Sequence, residues 1–183
     1  MVNHKYYAAS VELLMRDFRR AVEYVEPTDD HLNVYSHRFF ELLLRACTDV
    51  ESVFRELLVE HKLPPEDPGK ERPTMKHYRA LAPILKLDSV QVIPRFWNAP
   101  KAVVPFAGFS TGDKIIWYDE HHEVKHNRAL GFRSATMGNT LTAACGLFAL
   151  LSRIDPDMVA PYGNQILDRR PALVAKDFIF VPS

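Results

Sequence analysis

The segment from His122 to His126 carries the residue types with the most chemistry in this chain, because two imidazoles and a carboxylate recur within little more than one helical turn. It reads His-Glu-Val-Lys-His, and histidines four residues apart on a helix project from nearly the same face, where both can bind one metal ion. In this interpretation Glu123 acts as the general base for a zinc-bound water. The protein would then be a zinc-dependent hydrolase.

Two features of the sequence weigh against that metal site. A catalytic zinc needs a third protein ligand, and after His126 the chain contains no histidine and no glutamate. Lys125 lies close to His122 around the helix, so its ammonium group would repel a dication. The zinc hydrolase is therefore an alternative. The function that the rest of the sequence favours needs no cofactor.

The same histidines belong to a longer pattern that begins with Trp117 and Tyr118 and continues as Val-Lys-His-Asn-Arg over residues 124–128. A helix rich in small residues follows over residues 134–151. The pattern resembles the last part of HEPN-type proteins, in which a helix of the form W-x-x-Y-N-x-V-K-H-x-R precedes a helix rich in alanine, asparagine and leucine. The long upstream helix with Glu51 is similar as well.

The resemblance covers mainly residues 31–62 and 113–152, and it implies an all-α bundle that is usually dimeric. Many HEPN-type proteins are metal-independent ribonucleases, so the resemblance also implies this activity. In such an enzyme we expect His126 to be catalytic and His122 to assist it. The residues expected to contact phosphate or RNA are Lys125, Arg128, His121 and Arg133.

This chain departs from the nuclease pattern, in which an arginine precedes the catalytic histidine by four to six residues. The positions four to seven before His126 hold no arginine, and His121 could supply the missing positive charge only when it is protonated. Two functions therefore stay open. One is a domain that binds or cleaves RNA or a nucleotide, for example in a toxin–antitoxin or defence system. The other is a noncatalytic homodimeric adaptor that binds a protein partner.

Composition places the chain among ordinary globular proteins of one domain, here residues 1–183. Hydrophobic residues make up 47% of it, and 23 basic side chains balance 23 acidic ones, so the overall charge indicates neither a nucleic-acid nor a membrane partner. Cys47 and Cys145 lie in apolar helical patterns, as buried thiols of a reducing compartment do. No signal peptide and no apolar run long enough for a membrane helix is visible, so we expect a cytoplasmic protein.

Apolar periodicity predicts a single all-α domain, an up-and-down bundle of about five helices with a long proline-rich connector over residues 64–110. The predicted helices span residues 6–25, about 31–61 with Asp30 as N-cap, 75–87 with a bend at Pro83, 114–128, and 134–153 with Ser134 as N-cap. Short strands are expected near residues 90–93 and 178–181. A solvated face of the second helix is predicted from the charge pairs Glu41–Arg45, Arg45–Asp49 and Glu51–Arg55.

The predicted helix over residues 114–128 has two distinct sides. If Trp117 and Val124 face the core, the spacing turns His122 and His126 towards a groove or a partner subunit.

The last long helix carries two glycines, Gly138 and Gly146, inside its apolar pattern. Each lowers helix propensity by about 1 kcal/mol relative to alanine. That cost is offset where another element approaches the helix closely, so the pattern predicts either a crowded core or the seam of a homodimer.

Overall fold

Helices α1 (His4–Val22) and α2 (His37–Glu60) form an antiparallel pair in this computed structural model, which describes residues 2–63, 73–94, 96–97, 102–159 and 178–181. Each helix starts at a side chain that accepts a hydrogen bond from an amide of its first turn, Asn3 for α1 and Ser36 for α2. The apolar stripe of each helix is buried against the other and against the rest of the core.

The other α-helices and strands of the described residues follow in chain order. They are α3 (Met75–Tyr78), α4 (Ala82–Leu85), β1 (Gln91–Pro94), α5 (Ile116–His126), α6 (Arg128–Gly131), α7 (Met137–Ile154), α8 (Pro156–Val159) and β2 (Phe178–Val181). Strands β1 and β2 pair antiparallel, with Gln91 opposite Val181 and Pro94 opposite Phe178. The predicted all-α bundle is confirmed, and this short strand pair lies where the sequence predicted strands.

Polar side chains tie α1 to α2 where the sequence predicted a solvated face. Arg45 Nη1 lies 3.1 Å from Asp17 Oδ2 on α1, and the Ser10 hydroxyl donates a hydrogen bond to Asp49. Asp49 is buried, and this burial raises the pKa of its carboxyl. The predicted surface pair of Arg45 and Asp49 was therefore wrong, because α1 covers that side of α2.

Two predicted N-caps were wrong, because a short 3₁₀ turn precedes each helix. Asp30 lies in the turn Asp29–His31, and the N-cap of α2 is Ser36 instead. Ser134 ends another such turn, and the N-cap of α7 is Thr136, whose hydroxyl accepts a hydrogen bond from the third amide after it. In both places the sequence offered several capping residues within a few positions, and backbone geometry selected the later one.

The predicted helix over residues 114–128 is interrupted after His126. Asn127 has a non-helical backbone, and its side chain accepts a hydrogen bond from the Leu130 amide, so it caps the separate short helix α6. Similarly, the predicted helix over residues 75–87 is divided into α3 and α4 by a 3₁₀ turn. Pro83 lies in the first turn of α4, a position that tolerates its missing N–H.

Helix α7 is the central element of the core, and it contacts α1, α2, α5 and β1. Nearly every residue from Ala143 to Ser152 is buried. At Gly146 an added Cβ would lie only 2.9 Å from Cζ2 of Trp117, so the bare glycine makes room for the indole ring. The small residues of this helix are therefore explained by a crowded core within one chain.

Aromatic rings fill the space between α2, α3 and the segment before α5. Phe54 stacks on Tyr78 with ring centroids 4.9 Å apart and on Phe109 at 5.6 Å. The indole N–H of Trp117 donates a 2.7 Å hydrogen bond to the carbonyl of Pro105. This packing holds the described part of the proline-rich connector against the start of α5. No helix among the residues described is long and apolar enough to cross a membrane.

The close approach of α6 to α5 can be tested at Gly131. A Cβ at this position would lie 2.6 Å from the carbonyl oxygen of Glu123, which is backbone and cannot move aside cheaply. We expect Gly131→Ala to lower the free energy of unfolding by about 1–3 kcal/mol in urea titrations, as overpacking does. Ala129→Ser adds one atom at an exposed position of α6 and should change it by less than about 0.5 kcal/mol. Equal stability of the wild type and Gly131→Ala would contradict this packing.

Candidate functional site

Helix α5 has one side buried in the core and one side open to solvent, as its sequence predicted. Trp117 and Val124 are buried, His122 is half-buried and His126 is exposed. The inward anchors fix the rotation of the helix, since residues of an α-helix lie about 100° apart around its axis. The histidine side is therefore set by the packing of the opposite side.

The site begins with Glu51 on α2, whose carboxylate lies between two side chains of α5. Its Oε1 accepts a 3.0 Å hydrogen bond from the Tyr118 hydroxyl, and its Oε2 lies 3.9 Å from Nζ of Lys125. The side chain of Glu51 is 14% exposed, whereas that of Lys125 is 44% exposed. The acid thus ties α5 to α2 and holds the lysine ammonium at the edge of the site.

Next to this ion pair, His122 and His126 form a stack of two imidazoles. Their ring centroids are 5.6 Å apart and their planes differ by 17°. Tyr118 contacts the stack at His122, with the two ring centroids 5.1 Å apart and the ring planes inclined at 66°. Two parallel imidazoles at this spacing can reach two oxygens of one phosphate group, and Lys125 supplies a positive charge beside them.

His121 lies on the inner side of the helix and does not reach solvent. It is 1% exposed, and its Nδ1 has no hydrogen-bond partner among the residues that the structure describes. Burial lowers the pKa of His121 to about 4, although the nearby Glu51 acts in the opposite direction. The imidazole is therefore neutral near pH 7. The expectation that His121 contacts phosphate was wrong, because it neither faces solvent nor carries a charge there.

The two predicted arginine contacts have different outcomes. Arg128 starts α6 directly after the break at Asn127, and its side chain lies outside the described part of the chain. Arg133 is exposed, but it lines a cavity at the start of α7 that also includes Glu120. Glu120 is two residues from His122, so the cavity opens on the other side of α5. Arg133 is thus not part of the histidine stack.

The zinc interpretation requires a third ligand beside His122 and His126. Within the described ranges, no group of three or more His, Cys, Asp or Glu side chains is placed to hold a metal ion. Glu123 is exposed on this helix. The histidine pair by itself therefore offers an incomplete donor set for a catalytic zinc site.

No family model, no curated protein and no solved structure matches this chain.

Two residues of the site were not among the predicted site residues. The sequence predicts Glu51 as a partner of Arg55 on a solvated face of a helix that resembles one in HEPN-type proteins. In the structure Glu51 is directed towards α5 instead. Tyr118 was noted only as part of the motif that begins at Trp117. The sequence does carry one signal for both. Tyr118 follows a tryptophan that is predicted to be buried, and Glu51 lies inside a long apolar helix. Each of these polar side chains needs a polar partner in the interior.

The burial of His121 predicts a measurable dependence of stability on pH. The unfolded chain binds a proton at this residue near its ordinary pKa of 6.5, whereas the folded protein does so only near 4. Stability should therefore fall as the pH decreases through that window, by roughly 3 kcal/mol from this residue. We expect His121→Phe to remove most of that loss when unfolding free energies are compared at pH 7 and pH 4.

His61 provides the matched control for that experiment, because it is exposed at the end of α2. His61→Phe should leave the pH dependence as it is in the wild type. An unchanged pH dependence in His121→Phe would show that this imidazole does not titrate as its burial requires.

Proposed function

We propose that this protein binds RNA through the exposed side of α5 and cleaves it without a metal ion, with His126 as the catalytic residue. The observation that carries the proposal is the stack of His122 and His126 beside Lys125. Histidine is the side chain whose ordinary pKa lies nearest neutral pH, so an exposed imidazole with a half-buried one beside it suits proton transfer. A neighbouring ammonium suits the negative charge of a phosphodiester. The resemblance to HEPN-type ribonucleases supports the same assignment.

The reaction that fits these groups is transfer of the phosphodiester to the 2′-hydroxyl of the same strand. His126 takes the proton of that hydroxyl while its oxygen bonds to phosphorus. The bond from phosphorus to the 5′-oxygen breaks, and a protonated imidazole gives that oxygen its proton. The products are a 2′,3′-cyclic phosphate and a free 5′-hydroxyl. Lys125 stabilises the charge on the other phosphate oxygens, and Arg128 is proposed to hold the neighbouring phosphate.

A second copy of the chain is part of this proposal. The attacking and leaving oxygens lie on opposite sides of phosphorus, but His122 and His126 share one side of one helix. A homodimer with α5 near its two-fold axis would bring the same histidine of a second copy to the other side. Two large apolar residues in this part of the chain are exposed, Ile116 at the start of α5 at 67% and Leu130 on α6 at 78%, and exposed apolar side chains of this kind suit an interface.

The cellular setting is proposed from the cysteines and from the resemblance. Cys47 and Cys145 are both free and buried, as in proteins of a reducing compartment. We place the activity in the cytoplasm, in a defence or toxin–antitoxin role that acts on cellular or invading RNA.

Cleavage of a labelled single-stranded RNA, with and without a chelator, tests the catalytic assignment. We expect wild-type cleavage to survive the chelator and His126→Ala to lose roughly 100- to 10,000-fold of the rate, the usual contribution of a general acid or base. His61→Ala, at an exposed histidine of α2, is the matched control and should keep the rate.

The remaining outcomes of this experiment decide between the proposed functions. Activity that the chelator abolishes, with zinc bound at about one ion per chain, would favour the hydrolase built on His122 and His126. Wild-type protein that binds RNA without cleaving it, or RNA turnover that survives His126→Ala, would remove the catalytic role. The adaptor function, in which the same side of α5 binds a protein, would then be the better account.

Light scattering tests the dimer. We expect a mass near twice the 21.0 kDa of one chain at micromolar concentration, and a shift to the monomer in Leu130→Asp. Ile84→Asp places the same charge at another exposed apolar position, on α4, and should stay dimeric. A monomeric wild type would contradict the arrangement around α5.

A further inference from the structure

A cavity of about 440 Å³ lies on the side of α5 away from the histidine stack. It is bounded by the first turns of α7, by the loop between α1 and α2, and by Pro94, Trp97 and Val103. Its size is within the range of small-molecule sites in proteins. The function proposed for His126 does not use it.

The apolar part of this cavity comes from a few large side chains. They are Leu32, Trp97, Val103 and Leu141. Trp97 is fixed in place, because its indole N–H donates a 3.0 Å hydrogen bond to Asp29. Trp97 is only 3% exposed, so little of its ring surface faces the cavity, and Leu32 and Val103 are the more accessible apolar side chains. An apolar wall of this kind favours a ligand with a flat apolar part.

The polar part consists of groups that the protein does not use for itself. Arg133, Glu120 and Asn33 line the cavity, and no hydrogen bond or ion pair joins their side chains to any residue that the structure describes. Arg133 and Asn33 are exposed and Glu120 is half-buried, so their polar atoms are accessible to a ligand. A guanidinium, a carboxylate and an amide left available around one cavity are suited to a ligand with both acceptor and donor groups.

The start of α7 does not add an anion site to this cavity. Its first amides are already hydrogen-bonded within the chain: that of Met137 to the carbonyl of Val34, and that of Gly138 to the carbonyl of Leu32. A negatively charged group in the cavity must therefore be held by Arg133. Glu120 and Asp29 contribute negative charge to the same lining, so they disfavour a ligand with several charges.

We infer that this cavity binds a single nucleotide unit, either a free nucleoside monophosphate or the phosphorylated end of an RNA strand. In this arrangement the base packs against the apolar wall, and Arg133 binds the phosphate in the bidentate manner that guanidinium groups favour. Glu120 accepts hydrogen bonds from the ribose hydroxyls. The inference does not depend on cleavage by His126, because Glu120 and His122 point about 160° apart around α5.

Binding measurements with AMP, adenosine and AMP-containing RNA test the inference. We expect AMP to bind more tightly than adenosine and more tightly than ATP, with a change in tryptophan fluorescence. Arg133→Ala should weaken AMP binding roughly 10- to 100-fold, as loss of a charged hydrogen bond does, and should bind AMP and adenosine equally. Arg16→Ala removes an exposed arginine of α1 and is the matched control.

A second variant keeps the test independent of the phosphate. Glu120→Gln should lose the preference for AMP over deoxyadenosine monophosphate while Arg133 still favours AMP over adenosine. A 5′-phosphorylated RNA that competes with AMP, when its 5′-hydroxyl form does not, would identify the strand end as the source. Competition by neither form would identify the free nucleotide.

Two results would overturn the inference. One is the absence of AMP binding at millimolar concentration, and the other is AMP binding that Arg133→Ala leaves unchanged. His126→Ala protein should bind AMP like the wild type, so failure of this site and failure of the proposed catalysis can be told apart.

Discussion

The contact between Trp117 and Gly146 fixes the rotation of α5 and thereby decides which of its side chains reach solvent. The indole ring occupies space on α7 that any side chain at Gly146 would take, and its N–H is satisfied by Pro105. A buried tryptophan is among the largest contributors to core packing, and it cannot rotate outward without opening a cavity. With this residue fixed, the helical repeat decides the position of every other side chain of α5. The outward direction of the two stacked histidines is a consequence of it.

A single carboxylate then organises the charges behind the histidines. Glu51 accepts a hydrogen bond from Tyr118 and lies beside Lys125. Burial disfavours the charged forms of the other titratable side chains around it. The pKa of Tyr118 is raised by burial and by Glu51, and that of Tyr78 is raised to about 12 for the same two reasons. His121 is held neutral in the same interior. Tyr78, Tyr118 and His121 therefore keep their neutral forms near pH 7.

The sequence was most informative where one strong periodicity decided the structure. The buried faces of α2 and α7 and the two sides of α5 follow from apolar spacing, which depends on the largest single term in folding. It was least informative where small energies compete. The starts of α2 and α7 depended on which of several capping residues met a suitable backbone, a difference of about 1 kcal/mol.

Within the site, spacing along one helix was enough to place His122 and His126 together, because they are neighbours on α5. The partners of Glu51 could not be predicted in that way, since Tyr118 lies 67 residues away along the chain and Lys125 lies farther still. The cavity beside Arg133 is built from even more distant segments, from Leu32 to Leu141. Contacts of that kind exist only after helices pack, so no local pattern encodes them.

Because α7 is central to the core and comes late in the chain, the core cannot close until most of the protein has been synthesised. The ribosome completes α1, α2 and α5 before it reaches residues 137–154, and those helices are shaped to cover α7. The hydrogen bond from the Thr140 hydroxyl to the carbonyl of Phe39 joins residues 101 positions apart. Until α7 emerges, the nascent chain exposes the apolar surface that later packs against this helix, and exposed surface of that kind promotes aggregation of incomplete chains.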